Sequence, residues 1–472
     1  MQLVATCLFG LEKQLGEEID ALGLKRIETI DGRVIFEGEK RDIARANINL
    51  RLAERVFILM GRFHAETFTE LFDGTNAIRW EEYIGKSDCF PVTGHSIKSK
   101  LTSIPDCQSI VKKAVVDRLS GAYGISWFDE TGVKYKIEFF ILKDECMLLI
   151  DTSGLALHKR GYRPEAGAAP LRETLAASIA LTSRPMEDVL FWDPFCGSGT
   201  LAIEAAMIAK NIAPGLKRHF AAEEFPVFDA SIWTDAKAEA EAKIILDSKF
   251  EAWASDIDEG ILDITYESAL RAGVEENLNI FNADARKIRK PDGRRGSIVC
   301  NPPYGERLGD AREVEFLYKD IGRNFSYFDP WHIYVITSCE TFENLYGRPA
   351  DKKKKLYNGM LPCTLYQFFK PYEGKPYGKS FSGGGFERKN FHNGEKRDFA
   401  QKRDFGGEKR DFAQKRDFDG QKRDFGGQKR DFDGQQRDFD GQKRDFAQKR
   451  ESDYNRSHNN FKKKDNKNFG DK

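Results

Sequence analysis

The chain has 472 residues, of which 40% are hydrophobic, and its 75 basic residues balance its 75 acidic ones. This length predicts two or three domains with real cores, and no apolar run reaches the ~18–20 residues of a membrane span. The eight cysteines form no Cys-x-x-Cys pair, and the first residues lack the pattern of a signal peptide, so we expect a cytoplasmic protein without a metal or a membrane partner.

Residues 1–155 mix short apolar runs with segments of helical spacing. Five basic residues between Lys98 and Arg118 give this region a basic side. Such a side is typical of nucleic-acid binding, but also of an ordinary solvated helix face. Strands are predicted at 3–8, 34–36, 55–63, 135–142 and 146–151, and helices at 11–22, 42–50, 66–78 and 109–119, which together form an α+β pattern.

From about residue 165 the pattern changes to a regular alternation of strand and helix. This alternation predicts an α/β domain built on a parallel, doubly wound sheet. A polar, helical insertion is expected at 214–248. Strands are predicted at 188–192, 252–255, 280–281, 297–300 and 331–337, and helices at 170–181, 201–209, 260–272 and 313–324.

The first strand of this region leads into a glycine loop that opens a helix. Gly197 and Gly199 would let the backbone approach a ligand, and the helix N-terminus favours a carboxylate or phosphate. The loop lacks the third glycine of a dinucleotide fingerprint and the lysine of a P-loop. It fits a loop that binds S-adenosylmethionine (SAM), and the candidate contacts are Asp193, Phe195, Cys196, Gly197, Gly199 and Thr200.

Carboxylates follow the next two predicted strands. Asp256 ends one of them, where it could accept both hydroxyls of a ribose. Asp258 is interpreted as the N-cap of the next helix. Asp284 follows the other strand and could accept a hydrogen bond from an adenine amine, or it could be an ordinary loop acid. Ile257 and Ala285, beside the two carboxylates, complete the predicted cofactor site.

The most informative motif is Asn301-Pro302-Pro303-Tyr304, which follows the buried run 297–300. Prolines stop a strand because they lack an N–H and fix φ. The Asn301 side-chain oxygen and the Pro302 carbonyl could accept both hydrogens of an amine, while Tyr304 stacks on its heterocycle and Pro303 keeps the loop rigid. A proline turn with a packed tyrosine is the plainer interpretation. Glu306 and Arg307 are assigned to loop ordering or substrate positioning.

The last hundred residues differ in composition from the rest. Arg-Asp-Phe recurs eight times between residues 397 and 446, and residues 371–472 contain no Leu, Ile, Val, Met, Cys or Trp. Without aliphatic residues nothing offsets the ordering entropy, which predicts disorder. This segment carries 27 Lys/Arg against 19 Asp/Glu. A basic tail with interspersed phenylalanine could contact RNA or could only aid solubility.

Several motifs in order resemble the THUMP-domain class I SAM-dependent RNA methyltransferases. They are residues 157–163 (LHKRGYR), 170–177 (PLRETLAA), 193–200, 213–216 (APGL), 255–258 and 301–310 (NPPYGERLGD). The resemblance covers nearly all of residues 1–370. It is nearest to the N-terminal half of the bacterial 23S rRNA guanine-N(2)-methyltransferase and its stand-alone relatives.

The resemblance implies three parts. Residues 1–155 would form a ferredoxin-like and THUMP RNA-binding module, 156–372 a Rossmann-like methyltransferase domain, and 373–472 a disordered basic tail. It implies SAM as cofactor and a guanine amine as acceptor, in large-subunit rRNA or a pre-ribosomal particle, with a monomeric enzyme expected. An adenine amine in nucleic acid, a glutamine amide in a protein, another RNA such as tRNA, and a non-catalytic ribosome-assembly role stay open.

Overall fold

The computed structural model describes residues 1–163, 171–305 and 310–370, which are organised around two seven-stranded sheets. Three sequence interpretations fall outside these residues. They are the disordered tail from 373, the helix start at Pro170, and the roles of Glu306 and Arg307. These stay predictions.

The first sheet belongs to residues 1–151. Its strand order is β2-β3-β1-β4-β7-β6-β5, and only the pairing of β5 with β6 is parallel. The elements are β1 (Gln2–Cys7), α1 (Glu12–Ala21), β2 (Lys25–Ile30), β3 (Arg33–Glu37), α2 (Lys40–Asn49), β4 (Ala53–His64), α3 (Phe68–Asn76), β5 (Val92–Ile97), α4 (Ile104–Tyr123), β6 (Ile137–Leu142) and β7 (Glu145–Asp151).

The second sheet belongs to residues 190–368 and has the order β10-β9-β8-β11-β12-β14-β13. Strands β8 to β12 are parallel, and the order reverses between β8 and β11. Ligands of such sheets bind outside the carboxyl ends of the strands at this reversal. The elements are α5 (Glu173–Ser183), β8 (Leu190–Asp193), α6 (Thr200–Ala209), α7 (Ser231–Glu241), β9 (Ala252–Asp256), α8 (Gly260–Ala272), β10 (Leu278–Asn282), β11 (Gly296–Cys300), α9 (Asp310–Phe325), β12 (His332–Thr337), α10 (Phe342–Tyr346), β13 (Lys352–Asn358) and β14 (Leu361–Phe368).

The sequence analysis missed four strands. Two of them, β13 and β14, belong to the second sheet and make it mixed rather than wholly parallel. β14 is antiparallel to β12, and β13 pairs with β14. The other two missed strands are β2 and β5. Three of the four (β2, β5 and β13) lie at sheet edges, where one side is solvated and charged residues are favoured over a continuous apolar run. β14 contains Pro362, which lowers the strand signal.

The insertion at 214–248 is helical over α7, but the expectation that it is simply polar is wrong. Phe220, Phe225, Phe228 and Trp233 are buried in the same cluster as the core of the first sheet. The Phe225 ring stacks on Tyr135 with centroids 4.1 Å apart. These aromatic side chains therefore pack the insertion of the second domain onto the core of the first domain.

Candidate active site

The glycine loop lies where β8 ends and α6 begins. Gly197 and Gly199 have φ of +49° and +80°, which L-residues rarely adopt. A Cβ built on Gly199 would lie 2.7 Å from the Thr265 methyl, whereas one built on Gly197 would meet no atom within 4 Å. Gly199 therefore lets α8 pack closely, while Gly197 leaves free space beside the helix N-terminus.

Asp193 lies fully buried at the start of this loop. Its Oδ1 accepts the Phe195 N–H at 3.1 Å. Burial raises the pKa of this carboxyl to about 8, against the effect of that N–H, and the charge of Asp256 adds to the rise. A cation arriving beside it would favour the ionised form, so Asp193 can act as the counter-charge of a positively charged ligand.

Asp256 joins the loops that follow β8, β9 and β10. Its Oδ2 accepts the Gly197 N–H at 2.9 Å, and its carbonyl accepts the Ala283 N–H at 3.0 Å. Its Oδ1 accepts the Asp258 N–H at 3.1 Å. Because each carboxylate oxygen can accept a second bond, Asp256 can brace the loops and still receive ribose hydroxyls.

The prediction that Asp258 is the N-cap of the helix after β9 is wrong by one residue. The N-cap of α8 is Glu259, whose side chain makes no cap bond. Asp258 lies one residue earlier, and its Oδ1 accepts the Gly260 N–H at 3.0 Å. It therefore satisfies a donor of the first turn from just outside the helix.

Asp284 lies near the start of the loop after β10, and its carboxylate is already paired. Arg286 donates to both oxygens at 2.8 Å, and this guanidinium lowers the pKa of Asp284 to about 2. Ala285 is buried against α9, so only its backbone can face a ligand. Ile257, in contrast, is 63% exposed next to Asp256, where it could cover a flat ring.

The loop after β11 is held by its own side chains. The Asn301 Oδ1 accepts the Tyr304 hydroxyl at 2.5 Å. The Pro303 carbonyl accepts the Tyr318 hydroxyl at 2.7 Å. Pro302 is buried, whereas Pro303 is exposed. The loop is thus stiff, but the amide oxygen predicted to accept an amine is bonded to Tyr304 in this state.

The sequence analysis missed the residues that brace these loops from other elements. Tyr318 lies on α9, and its hydroxyl is also 2.8 Å from Thr337 Oγ1 at the end of β12. Thr265 on α8 donates to the Gly197 carbonyl at 2.5 Å. Thr337 could have been found, because it ends a parallel strand next to β11. Tyr318 and Thr265 carry no local signal.

The segment before α5 connects the first domain to the glycine-loop helix. The buried Arg160 guanidinium lies 3.5 Å from Glu204 on α6, and the Tyr162 hydroxyl donates to the same carboxylate at 3.1 Å. Arg163 pairs with Glu173 at 2.6 Å and reaches Thr200 Oγ1 at 3.4 Å. The LHKRGYR motif is therefore part of the packing that holds α6 in place.

The residues at this edge fit SAM. Gly197 leaves space for it, Asp193 and Asp256 offer carboxylates for a cation and a ribose, and the α6 N-terminus favours a carboxylate. Within the described ranges no group of three or more His, Cys, Asp or Glu could hold a metal ion. No described helix is both long and apolar enough to cross a membrane.

Three protein families match consecutive parts of the chain. The RlmL ferredoxin-like domain matches residues 2–57, the THUMP domain residues 65–151, and the RMKL-like methyltransferase domain residues 160–367. The expected order of a ferredoxin-like part, a THUMP domain and a Rossmann-like methyltransferase domain is thereby confirmed.

Two curated relatives differ in length. The putative RNA methyltransferase YpsC of Bacillus subtilis is 44% identical over 369 residues, which are 78% of this chain and 95% of YpsC. The ribosomal RNA large subunit methyltransferase K/L of Photobacterium profundum is 34% identical over 373 residues, which are 77% of this chain and 52% of that protein. The chain thus spans about half the length of the K/L relatives.

Solved structures match over the same region. A predicted N6-adenine-specific DNA methylase from Listeria monocytogenes is 44% identical with a TM-score of 0.74, and the match covers 78% of this chain and 96% of that one. SMU.472, a putative methyltransferase in complex with S-adenosylhomocysteine (SAH), is 41% identical with a TM-score of 0.73. This match covers 78% of this chain and 97% of that one. The chain belongs to the THUMP-containing, RMKL-like family of SAM-dependent methyltransferases.

Proposed function

We propose that this protein transfers a methyl group from SAM to the exocyclic amine N2 of a guanine in 23S ribosomal RNA. The observation that carries the proposal is the Asn301–Tyr304 loop at the carboxyl end of β11, at the same edge of the sheet as the glycine loop after β8. The THUMP domain at residues 65–151 and the names of YpsC and the K/L relatives support RNA as the substrate.

The acceptor chemistry follows from the groups in the loop. An exocyclic amine is a poor nucleophile because its lone pair is delocalised into the ring. The Asn301 Oδ1 and the Pro302 carbonyl would accept the two amine hydrogens and direct the nitrogen lone pair. Bound SAM supplies a methyl group activated by its sulfonium, so the task of these residues is mainly positioning.

Tyr304 must change partner for this chemistry to proceed. Its hydroxyl now bonds Asn301, and its ring packs beside the core that contains Leu356 and Cys363. A flipped guanine would displace the hydroxyl from the Asn301 oxygen and stack on the released ring. The loop then exchanges an internal hydrogen bond for one to the acceptor amine.

An adenine amine is the second candidate acceptor. The name of the Listeria structure favours it, and the loop chemistry serves either planar amine. A tyrosine can stack on any base, so selection between the two must come from groups that contact the ring edge.

The test is methyl transfer by the full-length protein from labelled SAM. The acceptors are unmodified 23S rRNA, 16S rRNA, tRNA and duplex DNA, followed by digestion and mass analysis of nucleosides. We expect N2-methylguanosine in 23S rRNA alone. N6-methyladenosine, or label in DNA, would replace the proposal with the second candidate. SAM binding without transfer to any acceptor would overturn it in favour of a non-catalytic role.

A further inference from the structure

A surface of exposed or half-buried aromatic, apolar and basic side chains lies at the β13–β14 hairpin. It consists of Phe9, Lys355, Tyr357 and Met360, which we call the hairpin rim. Phe9 is 52% exposed and Met360 is 96% exposed. The Phe9 and Tyr357 rings meet edge to face with centroids 6.1 Å apart, and the Lys355 ammonium lies 5.7 Å from the Tyr357 ring.

The hairpin rim lies at the same edge of the sheet as the acceptor loop. In the register of β13 and β14, Leu356 pairs with Cys363 and Tyr357 with Pro362. On the other face of the hairpin, which carries Leu356, the Cys363 thiol lies 3.9 Å from the Tyr304 hydroxyl. Because β14 pairs with β12 so that Thr364 is opposite Thr337, the hairpin tip lies at the carboxyl edge of the sheet. This is the edge on which Asn301 lies.

Contacts between the two domains fix Phe9 in this place. A Cβ built on Gly10, whose φ is +89°, would lie only 3.0 Å from the Lys355 carbonyl oxygen. Glu12 accepts the Gly10 and Gly32 N–H groups at 2.9 and 3.0 Å. Lys354 donates to Gln14 on α1 at 2.6 Å. The first domain thus presents an aromatic ring beside the second domain's catalytic edge.

β13 begins with four lysines, of which Lys355 belongs to the hairpin rim, and this charge favours an anionic partner. Lys353 pairs with Glu343 at 2.8 Å. Among the described residues, by contrast, no carboxylate forms an ion pair with Lys352 or Lys355. Exposed lysines also protect edge strands from pairing with other chains, but that role needs no aromatic ring from another domain.

We propose that the hairpin rim binds the unpaired RNA nucleotide next to the methylated one, an inference that rests on the proposed function. A base turned out of its helix leaves its neighbour without a stacking partner. Phe9 and Tyr357 offer rings for that neighbour, and Lys355 offers a cation for its phosphate. Aromatic rings combined with basic side chains are the usual means of holding single strands.

The test measures RNA affinity and methyl transfer of full-length variants on unmodified 23S rRNA. Loss of one stacking contact corresponds to about a tenfold weaker affinity. We expect this loss for Phe9→Ala and its rescue by Phe9→Tyr. Tyr266→Ala, which removes a ring of similar exposure (54%) on α8, is the matched control. Lys355→Ala should reduce the salt slope of binding by about one. Lys249→Ala should not, because this exposed lysine precedes β9, at the opposite edge of the sheet.

Each outcome is decisive. SAM affinity should be unchanged in all variants, since none of these residues lies in the cofactor loops. If wild-type protein methylates 23S rRNA but Phe9→Ala and Lys355→Ala bind it normally, the rim proposal fails and the proposed function stands. If the lysine variant only self-associates, its role is edge protection and the rim proposal fails. If wild-type protein transfers no methyl group to RNA, both fail.

Discussion

The proposed cofactor half of the site, which is the glycine loop with Asp256, and the proposed acceptor half, which is the Asn301–Tyr304 loop, are stabilised in different ways. In the cofactor half, groups from neighbouring loops satisfy each other, as when the Gly197 N–H bonds Asp256 and the Cys196 N–H bonds the Ser255 carbonyl. In the acceptor half, Asn301 bonds Tyr304 of its own tetrapeptide. On the proposed roles, the cofactor half is preformed, while the acceptor half would have to exchange an internal bond for one to the substrate.

The largest effect on the cofactor half is expected from Asp256→Ala. If Asp256 binds the ribose as proposed, this change removes a charged acceptor for two hydroxyls, and such bonds contribute about 1.5–3 kcal/mol each. We expect SAM affinity to fall about 100-fold by calorimetry. Asp258→Ala is the matched control, because it removes a carboxylate two residues away that only supports the start of α8. An equal loss in both variants would mean that loop stability, not ribose contact, is responsible.

Asp193→Asn should change the pH dependence of stability. The folded protein keeps the Asp193 proton up to a pKa of about 8, whereas the unfolded chain releases it near the ordinary value of about 4. Folding therefore takes up a proton between these values, and stability falls as pH rises. The free energy of unfolding of the variant minus that of wild type should rise by about 1.4 kcal/mol per pH unit from pH 4 to 8.

Urea denaturation of both proteins at pH 5, 6.5 and 8 measures this difference. The contributions of titratable groups that both proteins share cancel when the two free energies of unfolding are subtracted. Saturating SAM should flatten the slope, because a bound cation favours the ionised carboxylate. A difference that stays constant with pH would show that Asp193 is ionised in the free enzyme.

A smaller effect, on the acceptor half, is expected from Tyr318→Phe. The Pro303 carbonyl loses its hydrogen bond, which contributes about 1 kcal/mol, and the loop becomes less well positioned. We expect kcat to fall about fivefold while the KM for RNA and SAM affinity stay constant. Tyr334→Phe, a buried tyrosine on β12, provides the control. A change in KM alone would mean that Tyr318 does not position the loop for transfer.

Sequence reasoning placed residues correctly where they follow one another at a strand end, while their roles stay predictions. The glycine loop and Asp256 are of this kind, because parallel strands bring their carboxyl ends to one edge. It failed for Tyr318 and Thr265, whose partners are distant in the chain. It also missed the edge strand β13, because its first four residues are lysines. Asn301 and Tyr304 were both identified, but their mutual bond depends on a loop geometry that the sequence does not specify.

The most direct test of the account is Asn301→Ala, measured by single-turnover methyl transfer and by SAM calorimetry. The variant loses the amide acceptor but leaves the cofactor half intact. We predict that transfer falls by at least about 10³-fold, near the upper range for one preorganised group, while the SAM dissociation constant changes less than about twofold. Near-normal transfer, or a matching loss of SAM affinity, would contradict the division of the site into these two halves.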